Sequence, residues 1–135
     1  MRREIHERAF RLALMVGTLR RDVSYKAMVK ELVLRQLARA TFSVAANLEE
    51  SLASYSKADF AAKVAISAKE GREMNFWWRL GKESGVLTPE ECDHLMPEAR
   101  EVSVVVSTIA RRARMNPQPT PRRAGMAAGG RTAGG

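Results

Sequence analysis

The sequence has few of the residues that build disulfides and metal sites. Of its 135 residues, one is cysteine and two are histidine. The single thiol, at Cys92, cannot form a disulfide within the chain, and one thiol with two histidines is too few for an ordinary structural zinc site. The sequence therefore predicts neither a metal nor another cofactor.

Long apolar runs are also missing. No apolar stretch approaches the roughly 18–20 residues that a membrane-spanning helix needs. The beginning of the chain, MRREIHERAF, is charged and lacks the apolar segment of a secretory signal peptide. We therefore expect a cytoplasmic protein that does not associate with membranes.

Sequence motifs of common catalytic sites are absent as well. The chain contains no nucleophile elbow, no phosphate-cradling glycine loop and no zinc-deaminase signature. Cys92 and His94 are two positions apart on a predicted helix, so their side chains point to different faces and do not make a nucleophile–base pair. Cys92 is instead predicted to be a core residue, and the sequence predicts a protein that is not an enzyme.

Positive charge is concentrated at the two ends of the chain, within a formal net charge of +8. Basic residues outnumber acidic ones by ten to four over residues 1–39 and by six to none over residues 111–135, whereas acidic residues lead by eleven to seven between them. Such a separation suits head-to-tail contacts between subunits or a polyanion bound at the basic ends. A merely solvated basic surface is the alternative.

Apolar residues recur at helical spacing in the first half of the chain. Residues 3–20 form a first amphipathic helix, whose polar side carries Arg8, Arg11 and Arg20. Asp22 or Ser24 caps a second helix that runs to about Leu52. The apolar positions of the first helix are Ile5, Ala9, Leu12, Ala13, Val16 and Leu19, and the stripe of the second is Val33, Leu37, Ala40, Val44 and Leu48.

Two more helices follow. Ser56 with Asp59 predicts the start of a third helix that runs to about Glu83, and Gly85 suits the position after its end. The sequence TPEE at 88–91 is a strong start for a fourth helix, in which Pro97 predicts a kink or a separate short turn over residues 89–96. The third stripe is Phe60, Val64, Ser67, Gly71, Met74 and Trp78, and the fourth is Cys92, Leu95, Met96, Ala99, Val102, Val106 and Ile109.

The second and third helices each carry apolar residues on a second face. Phe42 lies opposite the stripe of the second helix. Phe76, Trp77 and Trp78 project about 100° apart, so a single bundle cannot bury all three fully. A second packing partner is therefore expected, which favours an oligomer.

Glu70 and Glu73 are three positions apart and share a face of the third helix. They could bind a metal or act as an acid–base pair, but carboxylate-bridged di-iron bundles also need Glu-x-x-His segments, and this chain has none. We favour ion pairs with arginines of a neighbouring helix or subunit. The residues predicted to serve the structure or the oligomer interface are Arg35, Arg39, Phe42, Glu70, Glu73 and Trp77.

Four stretches resemble the 23S ribosomal RNA intervening-sequence protein family: RQLARATFSVAANLEE, SKADF, ISAKEGREMNFWWRL and ESGVLTPEE. The resemblance covers residues 8–114 and implies an up-and-down antiparallel four-helix bundle that assembles into a pentameric barrel. A related branch contains the accessory proteins of diversity-generating retroelements, where a basic pentamer engages a reverse transcriptase and nucleic acid. Glu50 and Ser51 stand where many members have a glycine-containing turn, which leaves the subfamily open.

The sequence predicts an all-α bundle over residues 1–114 and a disordered basic tail, rich in Pro and Gly, over residues 115–135. The predicted function is a non-catalytic oligomeric scaffold whose basic surface binds RNA or DNA, or a partner such as a reverse transcriptase. A purely structural or protein-interaction bundle is the alternative. An up-down bundle brings the start of the first helix and the end of the fourth to one end. The predicted nucleic-acid-binding residues there are Arg2, Arg3, Arg8, Arg11, Arg20, Arg21, Arg111, Arg112 and Arg114.

Overall fold

Four α-helices make up residues 2–115, the part of the chain that this computed structural model describes. They are α1 (Arg2–Gly17), α2 (Val23–Leu52), α3 (Lys57–Ser84) and α4 (Pro89–Met115). These residues contain no strand, so the all-α prediction is confirmed. None of the four helices is long and apolar enough to cross a membrane. The predicted tail lies outside the described residues, except for Met115, which is the last residue of α4.

Side-chain caps begin three of the helices where the sequence predicts them. Asp22 accepts a hydrogen bond from the Tyr25 amide at 3.1 Å to begin α2, and Ser56 begins α3 in the same way. At α4, Thr88 and Glu91 each accept a hydrogen bond from the other's backbone amide, at 3.2 and 2.9 Å. These bonds satisfy amide groups that have no partner within the helix, so the helix starts are determined locally.

The residue that ends α3 and the proline within α4 also bear on the sequence predictions. Gly85 follows α3 with φ of +78°, the left-handed conformation that glycine adopts most readily. Helix α4 continues through Pro97, so the predicted separate turn over residues 89–96 is wrong. Pro97 removes one backbone hydrogen bond, but Met96 and Ala99 are buried on either side of it. Packing of both halves of α4 therefore keeps the helix in one piece.

Helix α3 is the centre of the fold because it contacts each of the other three helices. It runs antiparallel to α2, where the Ser67 hydroxyl donates to the Val44 carbonyl at 2.9 Å. Against α4, a Cβ added to Gly71 would lie 3.1 Å from Ser103 Oγ. The small residues in the stripe of α3 therefore allow a close approach of its neighbours.

The stripes predicted for α2, α3 and α4 supply most of the core. Within this core, Trp78 is 7% exposed and Cys92 is fully buried. This burial raises the pKa of the Cys92 thiol. The buried apolar residues of the three helices include Val33, Leu37, Ala40, Val44, Val64, Met74, Trp78, Cys92, Met96, Ala99 and Val106.

Helix α1 packs with a different face from the one that its apolar spacing indicates. Phe10, only 6% exposed, packs edge-to-face on Phe76 of α3 with ring centroids 6.1 Å apart, and the Arg79 guanidinium lies 3.7 Å from the Phe10 ring centre. Glu7 binds Arg79 through two hydrogen bonds. The aromatic and cation–π contacts of Phe10 outweigh the aliphatic stripe. The four large residues of that stripe remain exposed: Ile5, Leu12, Val16 and Leu19.

Candidate functional site

A basic cleft lies between the first half of α3 and the last turns of α4. Its volume is about 570 Å³. Four cationic side chains line it, and we call this site the basic cleft: Lys69, Arg72, Arg111 and Arg114. The remaining lining residues are small: Ala61, Ala62, Ala65, Ala68, Ser107 and Ala110.

Helical spacing explains how the cleft forms. Ala61, Ala65 and Ala68 follow one another by four and three positions, so they share a face of α3. Lys69 and Arg72 are neighbours at i,i+3 beside that face, and α4 repeats the same spacing at Arg111 and Arg114. Small side chains leave room between the two helices, and the long cationic side chains border that room.

The cations of the basic cleft form no ion pair with any carboxylate of residues 2–115. Among the described residues, none of the four lies within 4.0 Å of an Asp or Glu oxygen. Arg39 and Arg79, by contrast, each contact two carboxylates. Lys69 is near enough to Glu73 to help lower the pKa of that carboxyl, although the two form no ion pair. Four positive charges around one cleft attract polyanions and suit contacts with phosphate groups.

Two of the four cleft residues were predicted from the sequence, namely Arg111 and Arg114. Lys69 and Arg72 were missed because the segment from 40 to 110 has a net negative charge, which hides a local basic pair. The signal that could have found them is their position on the alanine-rich face of α3. A helical wheel of charge is therefore more informative here than a count along the chain.

The remaining predicted arginines are spread over other surfaces. Arg8 and Arg11 line a separate hollow on the outward side of α1, and Arg20 pairs with Asp22 at 2.8 Å. The structure does not bring these arginines into the basic cleft. Arg2 is the first residue of α1, and three more are exposed: Arg3, Arg21 and Arg112.

Arg72 connects the cleft to the start of α1. It also lines a hollow between α1 and α3 that includes His6. The contacts of α1 lie farther along α3, where Glu7 binds Arg79 and Phe10 packs on Phe76, whereas the end of α4 faces the first half of α3. Among the described side chains, the arginines of α1 and those at the end of α4 line separate hollows, so the expected merger of the two basic ends is not formed.

The Glu70–Glu73 pair binds an arginine of the same chain. Arg39 of α2 contacts Glu70 at 3.3 Å and also Glu73, and Trp77 donates a hydrogen bond to Glu73 at 3.2 Å. The cluster therefore ties α2 to α3. Within residues 2–115, no group of three or more His, Cys, Asp or Glu side chains is arranged to hold a metal ion.

The other two residues of the predicted structural set lie outside this cluster. Arg35 pairs with Glu31 on its own helix at 2.8 Å, as an i,i+4 pair on the exposed side of α2. Phe42 is 70% exposed. Neither residue contributes to the contact between α2 and α3 that Arg39 makes.

Replacing Glu73 with Gln is expected to lower the free energy of unfolding by about 1 kcal/mol at neutral pH. The hydrogen bond from Arg39 lowers the pKa of Glu73, and the one from Trp77 adds to this. A lowered folded-state pKa gives stability that is present above the unfolded-state pKa and is lost as pH falls through the folded one.

The difference between wild type and Glu73→Gln should therefore shrink from about pH 7 to about pH 3, as measured by urea denaturation at each pH. Glu31→Gln is the matched control, because Glu31 forms an exposed pair with Arg35. A constant difference between wild type and Glu73→Gln across this range would contradict the assigned role of the ion pair.

Comparison with known proteins gives one family and one fold. The family model described as 23S rRNA-intervening sequence protein matches residues 2–108. A solved structure of a protein of unknown function from the S23 ribosomal protein family of Bacteroides thetaiotaomicron has 24% sequence identity and a TM-score of 0.53. That match covers 80% of this chain and 93% of the other, and it supports the helical fold. No curated protein matches the chain.

Proposed function

The chain belongs to the 23S rRNA-intervening sequence protein family, and we propose that it is a non-catalytic, oligomeric helical scaffold that binds nucleic acid in the basic cleft. The observation that supports this proposal is the set of four cations that line one cleft and form no ion pair within the part of the chain that the structure describes. Lys and Arg side chains in such an arrangement neutralise phosphates and release the counterions that surround them.

The lining of the cleft indicates how the proposed binding works. It contains no aromatic side chain on which a base could stack, and its other residues are alanines and one serine. Phosphate contacts position a nucleic acid but carry no direct sequence information. We therefore expect binding that tolerates different sequences and depends steeply on salt.

The proposal also includes self-assembly and a partner protein. The family resemblance suggests a homopentamer, in which the basic cleft is repeated around a ring. It also suggests a nucleic-acid-processing partner. A reverse transcriptase is the candidate, because the related retroelement accessory proteins engage one. Co-purification of a reverse transcriptase with the tagged protein, retained after nuclease treatment, would support a direct contact.

The test of the proposed function is binding of labelled RNA and DNA across a salt series, measured by fluorescence anisotropy. Each neutralised phosphate contributes about −0.9 to the slope of log affinity against log salt on duplex DNA and about −0.7 on single strands. Four cleft cations therefore predict a slope of about −3.5 on duplex DNA for one protomer. If the protein binds neither RNA nor DNA at the lowest salt concentration, the proposal is contradicted.

A bundle that binds only proteins is the second candidate function. The exposed apolar residues of α1 and α2, such as Leu12 and Phe42, favour it. It predicts a defined oligomer or complex whose formation does not respond to RNA or DNA. The salt series therefore separates the two candidates when light scattering measures the mass in the same buffers.

A further inference from the structure

An apolar groove runs between α2 and α4, along the face of α3 that carries Trp78. Two adjoining hollows of about 270 and 460 Å³ form it and share Ala45 and Leu48. Apolar side chains make up most of its lining, and Leu95 on α4 is 50% exposed. We call this surface the α2–α4 groove. Extended apolar surface of this kind marks a site of protein interaction.

Helix α1 has an apolar face that the other described residues leave exposed. Ile5, Leu12, Met15 and Val16 lie on the side turned away from α3, and each is more than half exposed. They span about 17 Å along the helix at 1.5 Å per residue. Their spacing suits an amphipathic helix that places its anchors in a groove.

The charges beside these two surfaces are complementary. Arg8 and Arg11 accompany the apolar face of α1, whereas Glu49 and Glu98 line the α2–α4 groove. None of these four side chains forms an ion pair among the described residues. Docking of α1 in the groove would bring opposite charges together at its rim.

The chain's own α1 is too short to cover its own groove. A Cβ on Gly17 would lie 3.8 Å from Val29, so the end of α1 lies beside the first turns of α2. Laid antiparallel along α2 from that point, α1 would place Leu12 beside Leu34, and only Ile5 would reach Thr41, because both helices have the same rise. The groove extends along α2 from Thr41 to Leu52.

We propose that the α2–α4 groove of one copy binds the apolar face of α1 of a second copy. The two surfaces are different parts of the chain, so the contact is head to tail and repeats until it closes a ring or continues as a filament. The proposal specifies the subunit contact of the oligomer in the proposed function. It does not depend on nucleic-acid binding, because no cleft cation takes part.

Two variants that each lose one side of the contact test the proposal. Leu12→Glu/Met15→Glu removes the α1 face, and Ala45→Glu/Leu95→Glu blocks the groove at exposed positions. In sedimentation velocity, the wild type should form a species larger than a dimer and each variant alone should be monomeric. An equimolar mixture should form a one-to-one dimer, because one variant keeps its groove and the other keeps its α1 face.

Several results would overturn the proposal. If either variant alone remains oligomeric, the subunit contact uses other surfaces. If the equimolar mixture of the two variants remains monomeric, the groove and the α1 face do not bind each other. A monomeric wild type would also exclude it. Hydrogen exchange of the α2 amides would then show what covers the groove. Protected amides would indicate that another part of the same chain covers it, and unprotected amides would indicate a groove free to bind a different protein. Circular dichroism on each variant checks that the helices are intact.

A charge exchange provides a second measurement that does not change the apolar surfaces. Arg8→Glu/Arg11→Glu and Glu49→Arg/Glu98→Arg should each weaken self-association, and the protein that carries all four changes should recover it. Anisotropy with labelled RNA on the monomeric groove variant measures nucleic-acid binding separately. Loss of assembly with retained binding, or the reverse, therefore shows which of the two proposals fails.

Discussion

Replacing Arg72 and Arg111 together by alanine is expected to weaken binding of duplex DNA about 60-fold at about 0.1 M salt. The two residues lie on opposite helices of the basic cleft, and neither has a carboxylate partner among the described residues. Each lost phosphate contact removes a factor of roughly 8 between about 1 M and 0.1 M salt, so two contacts give the stated loss.

The salt dependence separates this loss from damage to the fold. The slope of log affinity against log salt should become less steep by about 2 on duplex DNA. Arg35→Ala/Arg100→Ala is the matched control, because both arginines are exposed and neither lines the cleft. Equal weakening by the two double variants would mean that net charge, not the cleft, determines binding.

Replacing Trp78 by alanine should lower the free energy of unfolding by about 3 kcal/mol or more. Trp78 is 7% exposed and belongs to the core cluster formed by all four helices. Its removal leaves a cavity next to the α2–α4 groove, and the rigid helices around it relax only in part. A loss of this size is a large fraction of the 5–15 kcal/mol that typical domains have.

The adjacent tryptophan provides the comparison. Trp77 is half-buried and donates a hydrogen bond to Glu73, so Trp77→Ala should cost about 1–2 kcal/mol. Urea denaturation of both variants, followed by circular dichroism, measures the difference. A larger loss for Trp77→Ala than for Trp78→Ala would show that α3 turns a different face toward α2 and α4.

The proposed subunit contact and the basic cleft use different surfaces of one chain. The cleft lies beside the end of α4, whereas the α2–α4 groove lies along the face of α3 that carries Trp78. Each added copy would therefore bring another cleft to the assembly without covering the first through this contact. Multiple clefts on one particle increase the avidity for a long polyanion.

Periodicity predicted the core better than it predicted the surfaces. The stripes of α2 and α3 are buried because their apolar residues fall on one dominant face, as Val33 and Met74 show. Helix α1 has two apolar faces, one with Phe10 and one with Leu12. Spacing alone does not rank these faces, since the choice depends on what α3 offers opposite, namely Phe76 and Arg79.

The sequence by itself determined the number of helices, their starts at Asp22, Ser56 and Thr88, and the core stripes of α2 and α3. These features depend on hydrogen bonds and spacings within a few residues, which a linear reading captures. Only the tertiary structure decided that Lys69 and Arg72 join Arg111 and that Arg39, not Arg35, binds Glu73. Such sites bring together residues more than thirty positions apart, and their geometry is set by how the helices pack.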